Sequence, residues 1–386
     1  MTEKKKARVD YIDWLRIMAV FLLIYFHSAR IFDDREPFYV KSAELSRALS
    51  ALIIVIGAWQ MQLFFLLSGA GSFFALGFRS GRQYSWERFK RLFIPLVFGT
   101  CVIVPPQAYY TLLGRPGFDK SYLAFLPQFF DFNPATAGGY RGTFEWAHLW
   151  FLAYLFTYSL LCIPLFLYLK KESGKKLIDK IANFFDKPGM IFLPAAWLAV
   201  LEMLLRPKWP GFQTLIDDWA NFTTYISYFT FGFIFCMDDR FAKAIERQLK
   251  IIITFAIVCM IAVLAIETID PKIPGGYNPA RLLLLAFHAF NTWVWVIAVM
   301  GLGRKLLNFK RWPLDYLNQA AFPFYVLHQT VIVVLGYYVL KMSVSVGVKY
   351  LIITTAALCS TLLIYDIFVR RTNPTRFLFG MKPINK

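Results

Sequence analysis

Charge is what this chain has least of. Charged residues make up 17% of its 386 positions, and Asp and Glu together number only 24. A soluble domain of that length must turn a largely polar exterior to water, so a water-borne globular fold is excluded. Cysteine is sparse as well. The five cysteines (Cys101, Cys162, Cys236, Cys259 and Cys359) include no CxxC pair and fall in or at the ends of apolar runs. That spacing suggests neither a disulfide framework nor a zinc site, so they read as packing residues and no metal set is expected. Direct or inverted repeats are missing too, which tells against architectures built from duplicated halves. There is no run of ten-residue segments with alternating polarity, as a transmembrane barrel needs.

What is abundant is apolar surface. Hydrophobic residues reach 58%, and Phe alone occurs 40 times. A bilayer accommodates such a composition, with about 20 mostly apolar residues per crossing. Ten stretches qualify: 12–32, 51–77, 92–113, 146–169, 189–205, 219–237, 251–267, 282–301, 321–340 and 349–369. Hydrocarbon offers no partner to free backbone amides, so the spans are expected to be helices. The fold class is therefore all-α, a polytopic membrane bundle forming one membrane-embedded domain over 1–386.

The net charge of +18 is unevenly placed. With the N-terminus inside, the alternate loops assigned to the inner face hold 28 Lys and Arg, against 12 in the outer loops. This asymmetry obeys the positive-inside rule, puts both termini in the cytoplasm and makes a nucleic-acid partner unnecessary. The basic start, Lys4-Lys5-Lys6 and Arg8, imitates a signal peptide. No small-residue cleavage site follows, so the first apolar run reads as an uncleaved span. The lysine-rich stretch 170–188 reads as a surface helix on anionic lipid. The longest connection, roughly 114–145, is aromatic and rich in Pro and Gly. It reads as either an outer cap or a simple connector.

Ionisable groups inside spans are costly and mark function by default. Here they are few: Arg16 and His27 in the first span, Glu202 in the fifth, His288 in the eighth and His328 in the ninth, with His148 beside Glu145 at the outer end of the fourth. Arg16 and His27 are 11 residues apart, about three turns, so they share a face and lie about 16 Å apart along the axis. Asp13 is placed to pair with Arg16 at i,i+3. Depth along the spans predicts two polar layers. The outer one contains His27, His288 and Glu202; the inner one contains Arg16 and His328. Small residues in Leu67-Ser68-Gly69-Ala70-Gly71-Ser72 permit close helix approach or a break. Arg88 and Arg91, three apart near the inner surface, suit a phosphate clamp.

Five motifs, in order, resemble the acyltransferase 3 family of multi-pass membrane proteins. They are Tyr11-Ile12-Asp13-Trp14-Leu15-Arg16 with His27 following; Phe64-Phe65-Leu66-Leu67-Ser68-Gly69; Arg88-Phe89-Lys90-Arg91-Leu92-Phe93-Ile94-Pro95; His148-Leu149-Trp150-Phe151-Leu152; and Phe322-Pro323-Phe324-Tyr325-Val326-Leu327-His328. Within the family, the branch that modifies bacterial periplasmic glucans is the most similar. The resemblance implies transfer of a short acyl group, acetyl or succinyl, from a cytoplasmic acyl-CoA to a hydroxyl of an extracytoplasmic glycan. The location implied is the bacterial inner membrane. Acyl-CoA is a co-substrate, and no permanently bound cofactor is expected.

The family's essential first-span arginine and histidine match Arg16 and His27, and its inner-loop arginines match Arg88 and Arg91. The catalytic candidates are thus His27, Arg16, His328, Glu145, His148 and His288. The donor-binding candidates are Arg88, Arg91, Arg16 and Ser68. The family's Ser-Leu-x-x-Glu-Glu-Gln pattern is replaced here by Glu145-Trp146-Ala147-His148. An imidazole at His27 would act as general base on the acceptor or would itself take up the acyl group. Tyr140, Trp146 and Trp219 are the aromatic candidates for stacking on sugar. The alternative class is a transporter or flippase that uses the buried His and Glu202 for proton coupling.

Overall fold

The computed structural model describes residues 10–35, 37–131, 142–211, 213–269 and 272–384, and every regular element among them is helical. Among the described residues, seven helices are long and apolar enough to cross a bilayer: Asp10–Ala29, Arg47–Leu76, Gly81–Leu113, Leu249–Ile269, Pro279–Leu306, Pro313–Val339 and Val346–Val369. Two bent pairs also qualify when each is taken as one span: Ala147–Leu161 with Ile163–Leu169, and Glu172–Phe185 with Met190–Leu205. The remaining expected crossing, 219–237, is the helix Trp219–Phe235. Its 17 residues extend about 26 Å, a little under a hydrocarbon core of about 30 Å. The polytopic helical bundle is therefore what the chain forms, with nine crossings by length and apolarity and this shorter helix where the tenth was expected. Lys4, Lys5, Lys6 and Arg8 lie outside the described residues, as do Tyr140 and Arg141.

Several helices overrun their apolar segments. The third begins at Gly81 rather than 92. Ser80 and Gln83 cap it reciprocally, Gln83 N to Ser80 Oγ at 3.3 Å and Ser80 N to Gln83 Oε1 at 3.0 Å. This S-x-x-Q capping box starts the helix in polar sequence, before any hydropathy signal. The same helix contains two π-helical turns, Phe89–Phe93 and Gly99–Ile103, each just ahead of prolines at 95 and at 105–106. A proline cannot donate to the carbonyl four residues back, and the wider turn reorganises that part of the ladder. The ninth helix starts at Pro313, eight residues before its predicted apolar start, because proline suits the first turn.

The described residues pack as two compact units made of interleaved stretches of sequence. The first takes the chain up to Arg16, Gly57–Arg88 and Tyr154–Arg311. Its tightest seam joins Gln60–Leu76 to Trp219–Phe235. A Cβ on Gly69 would lie 1.8 Å from Phe229 O, and one on Gly232 would lie 1.8 Å from Leu66 O, so glycine is what lets the two backbones meet. Phe166 and Phe233 stack at 3.8 Å below that seam. Helix Glu172–Phe185 buries Gly174, Ile178 and Ala182 at four-residue intervals and exposes its lysines, the amphipathic pattern expected of 170–188. Arg240 ties it to the next inner helix through Asp179 and Asp238, both at 2.6 Å. That guanidinium holds the Asp238 carboxyl below the ordinary carboxylate range.

The second unit takes Ile17–Ile56, Phe89–Ala153 and the chain from Trp312 on. Gly99 admits Leu149, and Gly336 admits Ile31 and Val40, so that the 31–41 segment lies against the ninth helix. That segment is fixed by Asp33, fully buried, which pairs with Arg30 at 2.8 Å and Lys41 at 2.7 Å. In the 114–145 connection, helix Tyr122–Phe129 is capped by Ser121 and buries Phe125 and Phe129.

Candidate functional site

Each unit brings some of the candidate residues together in a polar cluster. In the first unit the cluster is cationic. Arg16 pairs with Asp13 at 3.2 Å, the i,i+3 contact expected from spacing. Its Nη2 approaches the fourth residue of the Ser68–Ser72 stretch, 3.8 Å from where a Cβ on Gly71 would stand. Arg88 reaches the next residue, Nη2 to Ser72 Oγ at 3.4 Å, and lies over the Tyr84 ring at 4.7 Å. Ser72 also accepts from the Tyr84 hydroxyl at 2.8 Å and donates to Ser68 O at 2.9 Å. Ser68 thus contributes its carbonyl, and the hydroxyl nearest the guanidinium is that of Ser72. The buried Nε of Arg88 has no hydrogen-bond partner among the described residues. An orphaned charged donor of this kind is costly, and an anion would satisfy it.

Arg91 falls in the second unit, where its Nε donates to Gly380 O at 3.3 Å. It sits in the π-helical turn Phe89–Phe93, where the 3.6-residue period on which the i,i+3 reading rests does not apply. Other buried polar atoms of the first unit also lack partners among the described residues, among them the indole Nε1 atoms of Trp59 and Trp295, Gln62 Oε1, and both amide atoms of Asn291. The two indoles stack at 6.5 Å. Glu202 is spoken for. It accepts from Arg206 at 2.7 and 2.8 Å and from Thr224 at 2.9 Å. His288 belongs to this unit too, beside Phe287.

The second unit brings three imidazoles together. His27 and His328 have ring centroids 5.1 Å apart, and His148 and His328 are likewise 5.1 Å apart. The inner placement expected for His328 is therefore wrong. Its helix begins at Pro313, so His328 lies about 22 Å along it, well inside the bilayer. His288 takes no part in this trio, which is built within one unit from the first, fourth and ninth spans.

Hydrogen bonds set the tautomers of two rings. His148 Nε2 lies 3.0 Å from Val326 O and its Nδ1 lies 3.4 Å from Gln107 Nε2, so Nε2 carries the proton and both nitrogens are held. His328 Nδ1 lies 2.6 Å from Tyr325 O and must donate, which leaves Nε2 as a bare acceptor. That Nε2 is buried with no partner among the described residues, and the same is true of His27 Nδ1. Phe324 stacks parallel to His328 at 6.3 Å, and Phe38 stacks on His27 at 6.1 Å.

Around the rings runs a polar chain that the sequence did not reveal. Gln329 donates to Gln107 at 2.8 Å, Gln107 to Thr330 at 2.7 Å, and Thr330 to Ile103 O at 2.6 Å. The Tyr325 hydroxyl donates to His148 O. Glu145 accepts from the Tyr39 hydroxyl. Gln107 and Gln329 were legible only as buried amides in apolar runs, a cue read for charged residues alone. Trp146 is half-buried in this unit, and Trp219 is exposed in the other.

Comparison with known proteins identifies the family. A family model described as an acyltransferase domain matches residues 9–370. The chain is 24% identical to the glucans biosynthesis protein C of Salmonella typhi over 396 aligned positions, covering 99% of this chain and 97% of that protein. Proteins of the same name from Salmonella typhimurium and Salmonella schwarzengrund match to the same extent. No solved structure matches the chain. With a family model spanning all ten helical crossings read from the sequence, the chain belongs to the acyltransferase 3 family of membrane proteins.

Proposed function

We propose that the protein is an O-acyltransferase of the bacterial inner membrane, moving an acetyl- or succinyl-class group from cytoplasmic acyl-CoA to a hydroxyl of an extracytoplasmic glucan. The observation that carries this reading is the trio of imidazoles, two of them with a bare, enclosed nitrogen. Acyl transfer to an alcohol needs a group that removes the hydroxyl proton as the oxygen attacks, and imidazole suits that task near neutral pH. His27 or His328 takes the proton. The C–O bond forms at the thioester carbon, the C–S bond breaks, and the proton then passes to the departing CoA sulfur. In the two-step form, an imidazole nitrogen of His27 is acylated first and the alcohol attacks that acyl group. His148, held at both nitrogens, positions His328 rather than moving a proton.

The donor side is supported by the cationic cluster. Arg16 and Arg88 offer guanidiniums to the CoA phosphates, and Arg88 keeps an unmet donor for them. The unpartnered Asn291, Trp59 and Trp295 complement the two amides of a pantetheine arm. Arg91, in the second unit, is held by Gly380 O and is not counted in this cluster. The test is purified protein with radiolabelled acetyl- and succinyl-CoA and a glucan acceptor. Acylated glucan is expected. Uptake of glucan into proteoliposomes with no acylated product would replace the enzyme with a carrier.

A further inference from the structure

A cavity of about 420 Å³ opens in the second unit where the first, third and ninth helices end. That volume is within the range of small-ligand sites, roughly 300–1,000 Å³. Its walls are aromatic and cationic: Phe38, Tyr39, Tyr110 and Tyr337, with Lys41 and Lys341. The first and ninth helices both run outward in a chain whose N-terminus is inside, and the third ends on the same side. The cavity therefore faces the extracytoplasmic water. The Lys341 ammonium lies over the Tyr337 ring at 4.0 Å, and the Tyr110 and Tyr338 hydroxyls lie 3.2 Å apart.

One wall of the cavity adjoins the imidazole trio. Phe38, one of its walls, stacks on His27 with an interplanar angle of 20°. Tyr39, the next residue, holds Glu145 through its hydroxyl. A ligand in this cavity is thus separated from His27 by one aromatic ring.

We propose that this cavity is the acceptor subsite, holding one or two sugar units of a neutral glycan. Tyrosine rings present flat apolar faces to the C–H face of a pyranose, and their hydroxyls donate and accept at its rim. Lysine ammonium groups donate to sugar oxygens and accept nothing, so they favour a hydroxyl-rich ligand over a hydrocarbon chain. Lys41 is held by Asp33, but an acyl chain or lipid tail would leave the Lys341 ammonium and the Tyr337 hydroxyl facing apolar groups at a cost. This assignment rests on the acyltransferase reading but is tested apart from it.

The measurement is calorimetric binding of a short glucose oligosaccharide to detergent-solubilised protein without any acyl donor. Tyr337→Ala and Tyr110→Ala should each weaken binding at least tenfold, with Tyr337→Phe near wild type. In transfer assays, Tyr337→Ala should raise KM for glucan at least tenfold while KM for acyl-CoA changes less than twofold. Unfolding midpoints within a few degrees of wild type establish that the variants are folded. If wild-type protein binds oligosaccharide and Tyr337→Ala and Tyr110→Ala bind it equally well, the cavity is not the subsite. If wild type binds no oligosaccharide, the proposal also falls. Binding that depends on Tyr337 in a protein with no transferase activity would uphold the subsite and overturn the acyltransferase reading instead.

Discussion

A single nitrogen decides what each histidine can do. His328 Nδ1 donates to a backbone carbonyl, so its Nε2 is a base by exclusion, whereas His148 has no nitrogen to spare. His27→Ala and His328→Ala are each expected to lower acyl transfer by about 10²- to 10⁴-fold, the usual worth of a positioned proton acceptor. Both should bind CoA as well as wild type does. Full turnover in either variant would remove that ring from the mechanism. Arg88 is the other residue with an unmet need. Arg88→Ala should weaken CoA binding in a fluorescence or calorimetric titration by roughly tenfold, the loss of one charge-assisted contact of about 1.5 kcal/mol. Unchanged affinity would separate Arg88 from the donor.

At the scale of elements, the Gln60–Leu76 helix is defined by what it lacks. Gly69 and Gly232 are each pressed against backbone, which cannot swing aside as a side chain does. Gly69→Ala is therefore expected to destabilise the protein by about 1–3 kcal/mol or more, read as a lowered unfolding midpoint in detergent. Two residues along, a Cβ on Gly71 meets nothing closer than Arg16 Nη2 at 3.8 Å, so Gly71→Ala should leave the midpoint unlowered. Equal effects at both sites would show that the seam is not what the helix depends on. The same contrast explains what sequence made visible. Small residues at Ser68–Ser72 announced close packing, yet only the partner backbone tells which glycine is indispensable. Helix starts at Gly81 and Pro313 were written in local capping chemistry, but hydropathy, being blind to polar helical turns, placed them too late.

For the molecule as a whole, the number of crossings fixes where the ends lie. Ten crossings return the C-terminus to the side of the N-terminus; nine leave it opposite. The Trp219–Phe235 helix, slightly short for a bilayer, is the element in question. The positive-inside charge pattern favours ten. Reporter tags at the two termini should both be accessible only from the cytoplasmic side in intact spheroplasts. Labelling of the C-terminal tag alone from outside would mean that Trp219–Phe235 does not cross.

Composition, charge asymmetry and apolar run lengths determined by themselves that this is a helical membrane protein, because hydrocarbon leaves no other way to satisfy a backbone. The Asp13–Arg16 pair was equally readable, since it follows from helical periodicity within one element. Which histidines meet was not. His328 was placed on the wrong layer, because depth estimated from apolar boundaries inherits every error in those boundaries. Only tertiary packing brings residues 27, 148 and 328 to one point, sets the His148 tautomer through Val326 O, and opens the tyrosine-lined cavity beside them. Such contacts join positions more than a hundred residues apart, and no local pattern in the chain encodes them.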